Sequence, residues 1–295
     1  MSSFLERLQT AADQTELMLD RLLTPENSPE ARLIEAMRYA SLDGGKRIRP
    51  FLVLHSSDLF DVHPECAQRT AAALEMVHCY SLVHDDLPAM DDDDLRRGRP
   101  TVHKAFDEAT AILVGDALLT RAFEVLAEEE THADPRVRCD LVRHLAQAAG
   151  EHGMVGGQML DIAAESLELG MPEITRLQRL KTGMLIRFGC EAGAILGKAS
   201  EHAHLALQAY AHDLGLAFQI ADDILDATGD TETVGKRTGK DAEAGKATFV
   251  SLMGLERAKE QAAMLADQAA QHLEPFGASA QPLIDLAEFV VTRKT

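Results

Sequence analysis

The stretch Asp85-Asp86-Leu87-Pro88-Ala89-Met90-Asp91-Asp92-Asp93-Asp94 places six aspartates within ten residues, and Arg96, Arg97 and Arg99 follow it directly. Carboxylates at this density repel one another unless cations lie among them. Most acidic runs are solvated helix faces or loops. This run, however, follows the apolar helical stretch 71–84, so its first aspartates emerge from a packed helix. It is therefore a candidate cation site.

A second acidic cluster, Asp222-Asp223-Ile224-Leu225-Asp226, follows a comparable apolar stretch at 214–221. Asp222 and Asp226 are four residues apart, so they share one helix face. Two inward-facing carboxylate clusters on separate helices form a site for a hard cation. Oxygen-only ligands favour magnesium with a phosphate partner. The alternative is that both clusters are solvated acidic faces.

Composition and charge limit the class of protein. The 295 residues are 46% hydrophobic, and no Ser/Gly/Pro-rich linker divides them, so we expect a single domain over residues 1–295. The 29 basic against 48 acidic residues give a net charge of −19, which argues against nucleic acid or an anionic membrane as a partner. An anionic small substrate remains compatible, because bound metal inverts the local charge.

Cysteine usage and hydropathy predict a soluble cytoplasmic protein. The four cysteines have no zinc-ligand spacing, so we expect buried small hydrophobes in a reducing compartment. The N-terminal segment lacks the basic and apolar regions of a signal peptide. No apolar run approaches the ~18 residues needed to cross a bilayer.

Apolar residues recur with a helical period along most of the chain, and no stretch alternates as a strand does. The predicted fold is all-α, with roughly ten helices around a central cavity. The predicted helices that bear on the site cover residues 64–86, 105–130, 135–165 and 248–272.

A cationic turn, Asp43-Gly44-Gly45-Lys46-Arg47-Ile48-Arg49-Pro50, precedes the third predicted helix. Pro50 fits the first position of that helix, so Lys46 and Arg49 lie just before an N-terminus that favours an anion. An ordinary basic turn is the alternative. His78 shares a helix face with Asp85, although a lone helical histidine is most often structural.

Further polar groups lie in the second half of the chain. Lys181 and Thr182 are placed in the middle of a helix that starts at Pro172, and Gln219 precedes Asp222 by one turn. Residues 229–246 contain four glycines and four cations, which is typical of a loop able to close on an anion.

In this order and spacing, the motifs resemble those of the trans-isoprenyl diphosphate synthases, and within them the bacterial-type farnesyl diphosphate synthases. The resemblance runs end to end. Its segments are Gly44-Gly-Lys-Arg-Ile-Arg-Pro50, Asp85-Asp86-x4-Asp91 with Arg96-Arg97, Gly157-Gln158-x2-Asp161, Lys181-Thr182, and Phe218-Gln219-x2-Asp222-Asp223-x2-Asp226 with Lys236 beyond.

The resemblance implies an enzyme that joins isopentenyl diphosphate to an allylic diphosphate, and it implies a homodimer. The residues implied to bind magnesium, three ions per active site, are Asp85, Asp86, Asp91 and Asp222, while Asp226 completes the second motif. Those implied to contact the allylic diphosphate are Arg96, Lys181, Lys236 and Lys246. Those implied to bind isopentenyl diphosphate are Lys46, Arg49, His78 and Arg97. Thr182 and Gln219 would flank the reacting carbon.

Product length is predicted from the residues before Asp85. Ser81 lies one turn below it, roughly one 5.4 Å pitch, and Tyr80 is displaced by about 100° around the helix. The resemblance implies that an aromatic residue at this position, with the Pro88-Ala89 insertion, stops elongation at fifteen carbons. The alternative is that Tyr80 is a core aromatic.

Rival functions remain open. A geranylgeranyl or longer-chain synthase would keep the fold and change the product. A terpene cyclase would not need Lys46 and Arg49 for a second diphosphate. A non-catalytic subunit of a synthase would be expected to lose aspartates from one motif, and both motifs are intact in this chain.

Overall fold

The computed structural model describes residues 2–25, 27–164, 169–228 and 247–293, and the all-α prediction is confirmed for them. The helices are α1 (Ser2–Leu22), α2 (Ala31–Ser41), α3 (Ile48–Asp58), α4 (Pro64–Asp85), α5 (Val102–Ala105), α6 (Glu108–Ala127), α7 (Pro135–Ala149), α8 (Met154–Ala164), α9 (Met171–Gln178), a π-helix (Arg179–Gly183), α10 (Met184–Leu196), α11 (Glu201–Thr228), α12 (Phe249–Met253), α13 (Leu255–His272), a 3₁₀-helix (Glu274–Ala280) and α14 (Gln281–Thr292). None of them is both long and apolar enough to cross a membrane.

Helix α4 lies at the centre of the fold, in contact with α1, α3, α6 and α10. A helix that is apolar on all sides is stable only when it is surrounded. Ala71, Ala72 and Ala73 are fully buried, and their small side chains let neighbouring helices approach closely. The last residue of α4 is Asp85, so the packed helix delivers this carboxylate to the end of the core.

Helix α11 carries the second acidic cluster and packs mainly against α13 and α10. Tyr210 is completely buried in this layer, and its hydroxyl donates a 2.7 Å hydrogen bond to the Leu283 carbonyl of α14. Five residues past Tyr210, a Cβ on Gly215 would lie 3.3 Å from the Cα of Gly183. The backbone of α11 therefore lies directly against the π-helix.

Some predicted helix boundaries were wrong because glycines and caps interrupt the pattern. The predicted helix 135–165 is two helices, α7 and α8, and the N–H of Gly153 donates to the Gly150 carbonyl between them. A Cβ on Gly153 would lie 2.1 Å from the Ala148 oxygen, so the turn requires glycine. Helix α6 begins only after Asp107, whose carboxylate caps it. Gly254, with a φ of 82°, separates α12 from α13.

The absence of strands was also predicted wrongly. Two short antiparallel strands, β1 (Leu95–Arg96) and β2 (Arg99–Pro100), form a hairpin directly after the aspartate run. Arg97 and Gly98 make its turn with φ values of 52° and 74°. Paired positive φ values match the twist of a two-residue hairpin, although arginine is rarely found there. Sequence alternation cannot reveal strands this short.

The cysteines are all unpaired, but their predicted burial holds only in part. Cys79 and Cys190 are buried, Cys66 is half-buried, and Cys139 is exposed. Cys139 lies on the solvent side of α7, whose opposite face supplies Leu141 and Leu145 to the core.

Candidate active site

A cavity of about 670 Å³ lies between α4, α8, the π-helix and α11. Its walls combine charged groups with apolar side chains such as Met154, Leu185 and Phe218. The predicted site residues that line it are Arg49, His78, Tyr80, Ser81, Asp85, Arg96, Arg97, Lys181, Thr182 and Asp222. Residues from both acidic motifs and from the cationic turn therefore meet in one space.

Asp85 is half-buried at the end of α4. The pKa of its carboxyl is raised to about 6, chiefly by burial; the Lys181 ammonium acts in the opposite direction, and the nearby Asp91 carboxylate adds to the rise. A raised pKa means that neighbouring cations compensate the negative charge of this carboxylate only in part. Asp85 is therefore the predicted magnesium ligand whose surroundings most clearly favour a cation.

Asp86 has a different environment from its neighbour. It is 3% exposed, and Arg96 donates to both of its oxygens, with the Arg96 Nε 2.8 Å from each. The β-hairpin positions Arg96 for this bidentate contact. Asp86 and Arg96 neutralise each other in this arrangement, so the magnesium role of Asp86 and the diphosphate role of Arg96 stay predictions.

On α11, Asp222 forms an ion pair with Arg293, just beyond the end of α14. The Arg293 guanidinium also lies 4.2 Å from the centre of the Phe218 ring and is largely buried. Sequence reasoning missed Arg293, because it lies 71 residues from its partner and belongs to no motif. Asp226 lies one turn beyond Asp222 and is half-buried.

The neighbouring Asp223 has a structural role. It is 5% exposed, and it accepts hydrogen bonds from the Gln219 amide at 3.0 Å and from the Phe249 backbone N–H at 2.8 Å. Gln219 in turn accepts from the Thr182 hydroxyl at 3.3 Å. Gln219 thus contacts both Asp223 and Thr182, and its predicted role beside the reacting carbon stays a prediction. Asp223 thereby orients both groups predicted to flank the reacting carbon.

Lys181 was predicted in the middle of a helix, and it lies in the π-helix that continues α9 directly into α10. Its Nζ donates a 2.7 Å hydrogen bond to Asp161 of α8. A Cβ on Gly157 would lie 2.2 Å from the Lys181 nitrogen, so glycine allows α8 to touch the π-helix. The segment Gly157-Gln158-x2-Asp161 thus has a physical role: it sets the contact and aims the lysine. Gln158 lines the cavity, and its buried amide atoms have no hydrogen-bond partner among the described residues.

The cationic turn contributes Arg49, whose Nη1 lies 3.4 Å from the His78 Nε2. Burial, and after it the Arg49 charge, hold the pKa of His78 well below its usual value, so this imidazole is neutral. Burial also lowers the pKa of Arg49. Arg97 joins the group by donating to the Gly44 carbonyl at 2.8 Å, across a glycine turn in which Gly45 has a φ of 90°. Arg49 is half-buried and Arg97 is exposed, and the two guanidinium groups beside a neutral imidazole favour an incoming anion.

Arg47 and Lys46 are adjacent and serve different purposes. Arg47 is buried and donates to Glu75 and Glu16, each at 2.7 Å, which fixes the turn in place. Lys46 is exposed near the cavity, and burial of part of its side chain, followed by the nearby Arg293 charge, lowers its pKa. Helix α3 begins at Ile48, so Pro50 is its third residue and the prediction that it is the first was wrong. Lys236 and Lys246 lie outside the described residues.

The donor set fits magnesium shared with a substrate. Among the residues that the structure describes, no group of three His, Cys, Asp or Glu side chains could hold a metal ion by itself. Asp85 and Asp222 line one cavity from two helices. Magnesium is usually held by one or two carboxylates and completed by water and phosphate oxygens, rather than by an all-protein cage.

Two acidic motifs and several cations thus surround one largely apolar cavity, an arrangement that suits transfer of an apolar group from a diphosphate. The chain belongs to the polyprenyl synthetase family, since the model described as Polyprenyl synthetase matches residues 30–277.

Three relatives illustrate the range of similarity. The chain is 43% identical to the farnesyl diphosphate synthase of Escherichia coli, over 98% of this chain and 99% of that protein. It is 43% identical to geranylgeranyl pyrophosphate synthase 4 of Arabidopsis thaliana, over 88% of this chain and 70% of that protein. The crystal structure of an FPP/GFPP synthase from Zymomonas mobilis superposes with a TM-score of 0.91 at 50% identity, covering 98% of this chain and 100% of that one.

Proposed function

We propose that this protein is a farnesyl diphosphate synthase, which condenses isopentenyl diphosphate with dimethylallyl diphosphate and then with geranyl diphosphate. The observation that carries the proposal is one cavity lined by Asp85 and Asp222, by Lys181, and by the Arg49–His78–Arg97 group. Acidic and cationic groups on shared walls suit two diphosphates, one of them held with magnesium. Its test is identification of the product formed from the two five-carbon substrates.

The residues would act on a reaction that separates charge. The allylic carbon–oxygen bond breaks, the isopentenyl double bond attacks the resulting cation, and a proton is lost to the released diphosphate. Lys181 and Arg96 would stabilise the charge that develops on the leaving diphosphate. Magnesium, when bound, would supply further neutralisation of that leaving group. The apolar walls would keep water from the cation.

Lys181 is expected to matter through its charge and its fixed position. Lys181→Gln should lower kcat about a hundredfold, because it removes an ammonium that Asp161 aims into the cavity. Lys198→Gln is the matched control, since Lys198 is more exposed and pairs with Asp134 away from the cavity. Steady-state kinetics of both variants would decide. If the Lys181→Gln and Lys198→Gln variants have equal kcat values, Lys181 has no catalytic role.

The isopentenyl site should separate from the allylic site by mutation. Arg49→Gln is expected to raise the KM for isopentenyl diphosphate at least about tenfold, because it deletes charge-assisted hydrogen bonds. Lys46→Gln should act in the same direction with a smaller effect, since Lys46 is exposed. Arg99→Gln is the control, because Arg99 stacks on Tyr39 outside this cavity. A rise confined to the allylic KM would reverse the assignment.

Product length is a separate part of the proposal. The chain is also similar to proteins named as synthases of longer products, so the alternative is a product of twenty or more carbons. Tyr80 lines the cavity yet is only 6% exposed, with its ring edge-on to His84 at 5.8 Å. Burial raises the pKa of its phenol to about 12, so the ring is neutral. We propose Tyr80 as the residue that ends the growing chain.

Tyr80→Ala is expected to shift the main product from fifteen to twenty or more carbons, because it removes a ring from the cavity wall. Tyr80→Phe keeps the ring and should keep the fifteen-carbon product. Chromatography of the dephosphorylated alcohols would measure both. Unchanged product from a folded, active Tyr80→Ala enzyme would assign the floor to another residue.

Assembly and location belong to the proposal as well. A homodimer would cover apolar side chains that are exposed on α6 and α8, among them Ile112, Leu113 and Leu160. Light scattering after size-exclusion chromatography tests this, and a monomer at micromolar concentration would contradict it. The single domain over residues 1–295 and the cytoplasmic location stay proposals from the sequence.

A further inference from the structure

A second cavity, of about 320 Å³, lies on the other side of the π-helix. It shares no described lining residue with the candidate active site. Arg179, Leu180 and Gly183 of the π-helix line it, whereas Lys181 and Thr182 of the same five-residue segment line the active-site cavity. One short segment therefore contributes to both cavities.

The charged lining residues of this second cavity are opposite in sign to the net charge of the protein. They are Arg179 and Arg187, and no described lining residue is an Asp or Glu, although the chain carries a net charge of −19. Arg187 is partly neutralised by Glu191, with Nη2 3.0 Å from Oε1. Arg179, by contrast, makes no ion pair or side-chain hydrogen bond with any described residue. Arg179 is exposed, and a guanidinium matches the geometry of a phosphate or carboxylate through two parallel hydrogen bonds.

The remaining walls are mostly apolar. Leu180, Met184, Ala211 and Leu216 lie among the lining residues. The volume is at the lower end of the roughly 300–1,000 Å³ of small-molecule sites. An anionic head group attached to a short apolar chain would match both the cations and the apolar surface.

A ligand in this cavity would contact the π-helix, whose backbone is tightly packed on two sides. The π-helix is held between two close backbone contacts, because a Cβ on Gly157 would lie 2.2 Å from the Lys181 nitrogen and one on Gly215 would lie 3.3 Å from the Gly183 Cα. Single-turn π-helices occur frequently at functional sites. Movement of Leu180 or Gly183 would be passed along the backbone to Lys181.

We propose that this cavity is an effector site for a small anionic amphiphile, a phosphate or carboxylate on a short apolar chain. Binding there changes turnover through the π-helix that carries Lys181 and Thr182.

Binding is tested on the Asp85→Ala/Asp222→Ala double variant, in which the active-site cavity is impaired. Octyl phosphate and octanoate are titrated separately by calorimetry, with octanol and inorganic phosphate as controls. We expect saturable binding of an octyl anion, weakened at least about tenfold by adding Arg179→Gln and unchanged by adding Arg176→Gln, an exposed arginine outside the cavity. The stronger of the two probes identifies the head group. If no octyl anion binds, or if Arg179→Gln leaves the affinity unchanged, the proposal of a binding site in this cavity is wrong.

The effector role has its own readout. With wild-type protein and saturating substrates, the bound octyl anion is expected to change kcat at least about twofold. The same change should occur in Arg176→Gln and disappear in Arg179→Gln. A constant kcat in spite of binding, or a change that persists in Arg179→Gln, would overturn the effector role.

Discussion

Replacing Asp85 or Asp222 with alanine is expected to lower kcat about a thousandfold, the upper range for removing one preorganised group that stabilises transition-state charge. Asp85 is half-buried with its pKa raised to about 6, and Asp222 lines the same cavity from another helix. Each loss would leave one cavity-lining carboxylate instead of two for the cations of the diphosphate. Because the two act on one leaving group, the double variant should lose little more than either single variant.

Two control variants distinguish the loss of a catalytic carboxylate charge from a loss of folded structure. Asp94→Ala removes an aspartate from the same acidic run, but Asp94 is exposed and pairs with Lys104 at 2.8 Å, so activity should change less than about twofold. Asp222→Asn preserves an acceptor for the buried Arg293 and should still be nearly inactive. Circular dichroism and steady-state kinetics measure both properties. A tenfold loss in Asp94→Ala, or full activity in Asp222→Asn, would contradict the catalytic role of the two cavity-lining aspartates.

Removal of divalent cations is expected to abolish turnover. Burial and repulsion from Asp91 and Asp86 disfavour the ionised form of Asp85. A diphosphate in the same cavity adds further negative charge. Exhaustive chelation should reduce product formation to background, and added magnesium should restore it. Thermal unfolding of the chelated protein serves as the control for integrity. Full activity without divalent metal would show that Lys and Arg side chains neutralise the substrate alone.

Much of the fold and the site could be predicted because the information is local. The apolar stretch before Asp85 predicted a buried helix, and α4 is one. The spacing from Phe218 to Asp226 placed the second cluster on one helix, and α11 carries all of it. Periodicity and charge density depend on neighbours within two turns, which is the range that a sequence displays directly.

The remaining features depend on contacts between distant segments. The Asp86–Arg96 pair forms because Arg97 and Gly98 adopt positive φ in a hairpin too short to leave an alternating pattern. The ion pair between Arg293 and Asp222 joins two helices that local reasoning treats separately. The split in role between Asp222 and Asp223 likewise follows from packing, because Asp223 is bound to the backbone at the start of α12.

The most direct measurement is identification of the product formed from isopentenyl and dimethylallyl diphosphates with magnesium. After phosphatase treatment, mass spectrometry of the extracted alcohols should show farnesol as the main species at long times, with geraniol at early times only. If folded protein yields no prenyl alcohol of ten or more carbons, the proposed prenyltransferase activity is contradicted. A main product of twenty or more carbons would contradict the fifteen-carbon limit assigned to Tyr80.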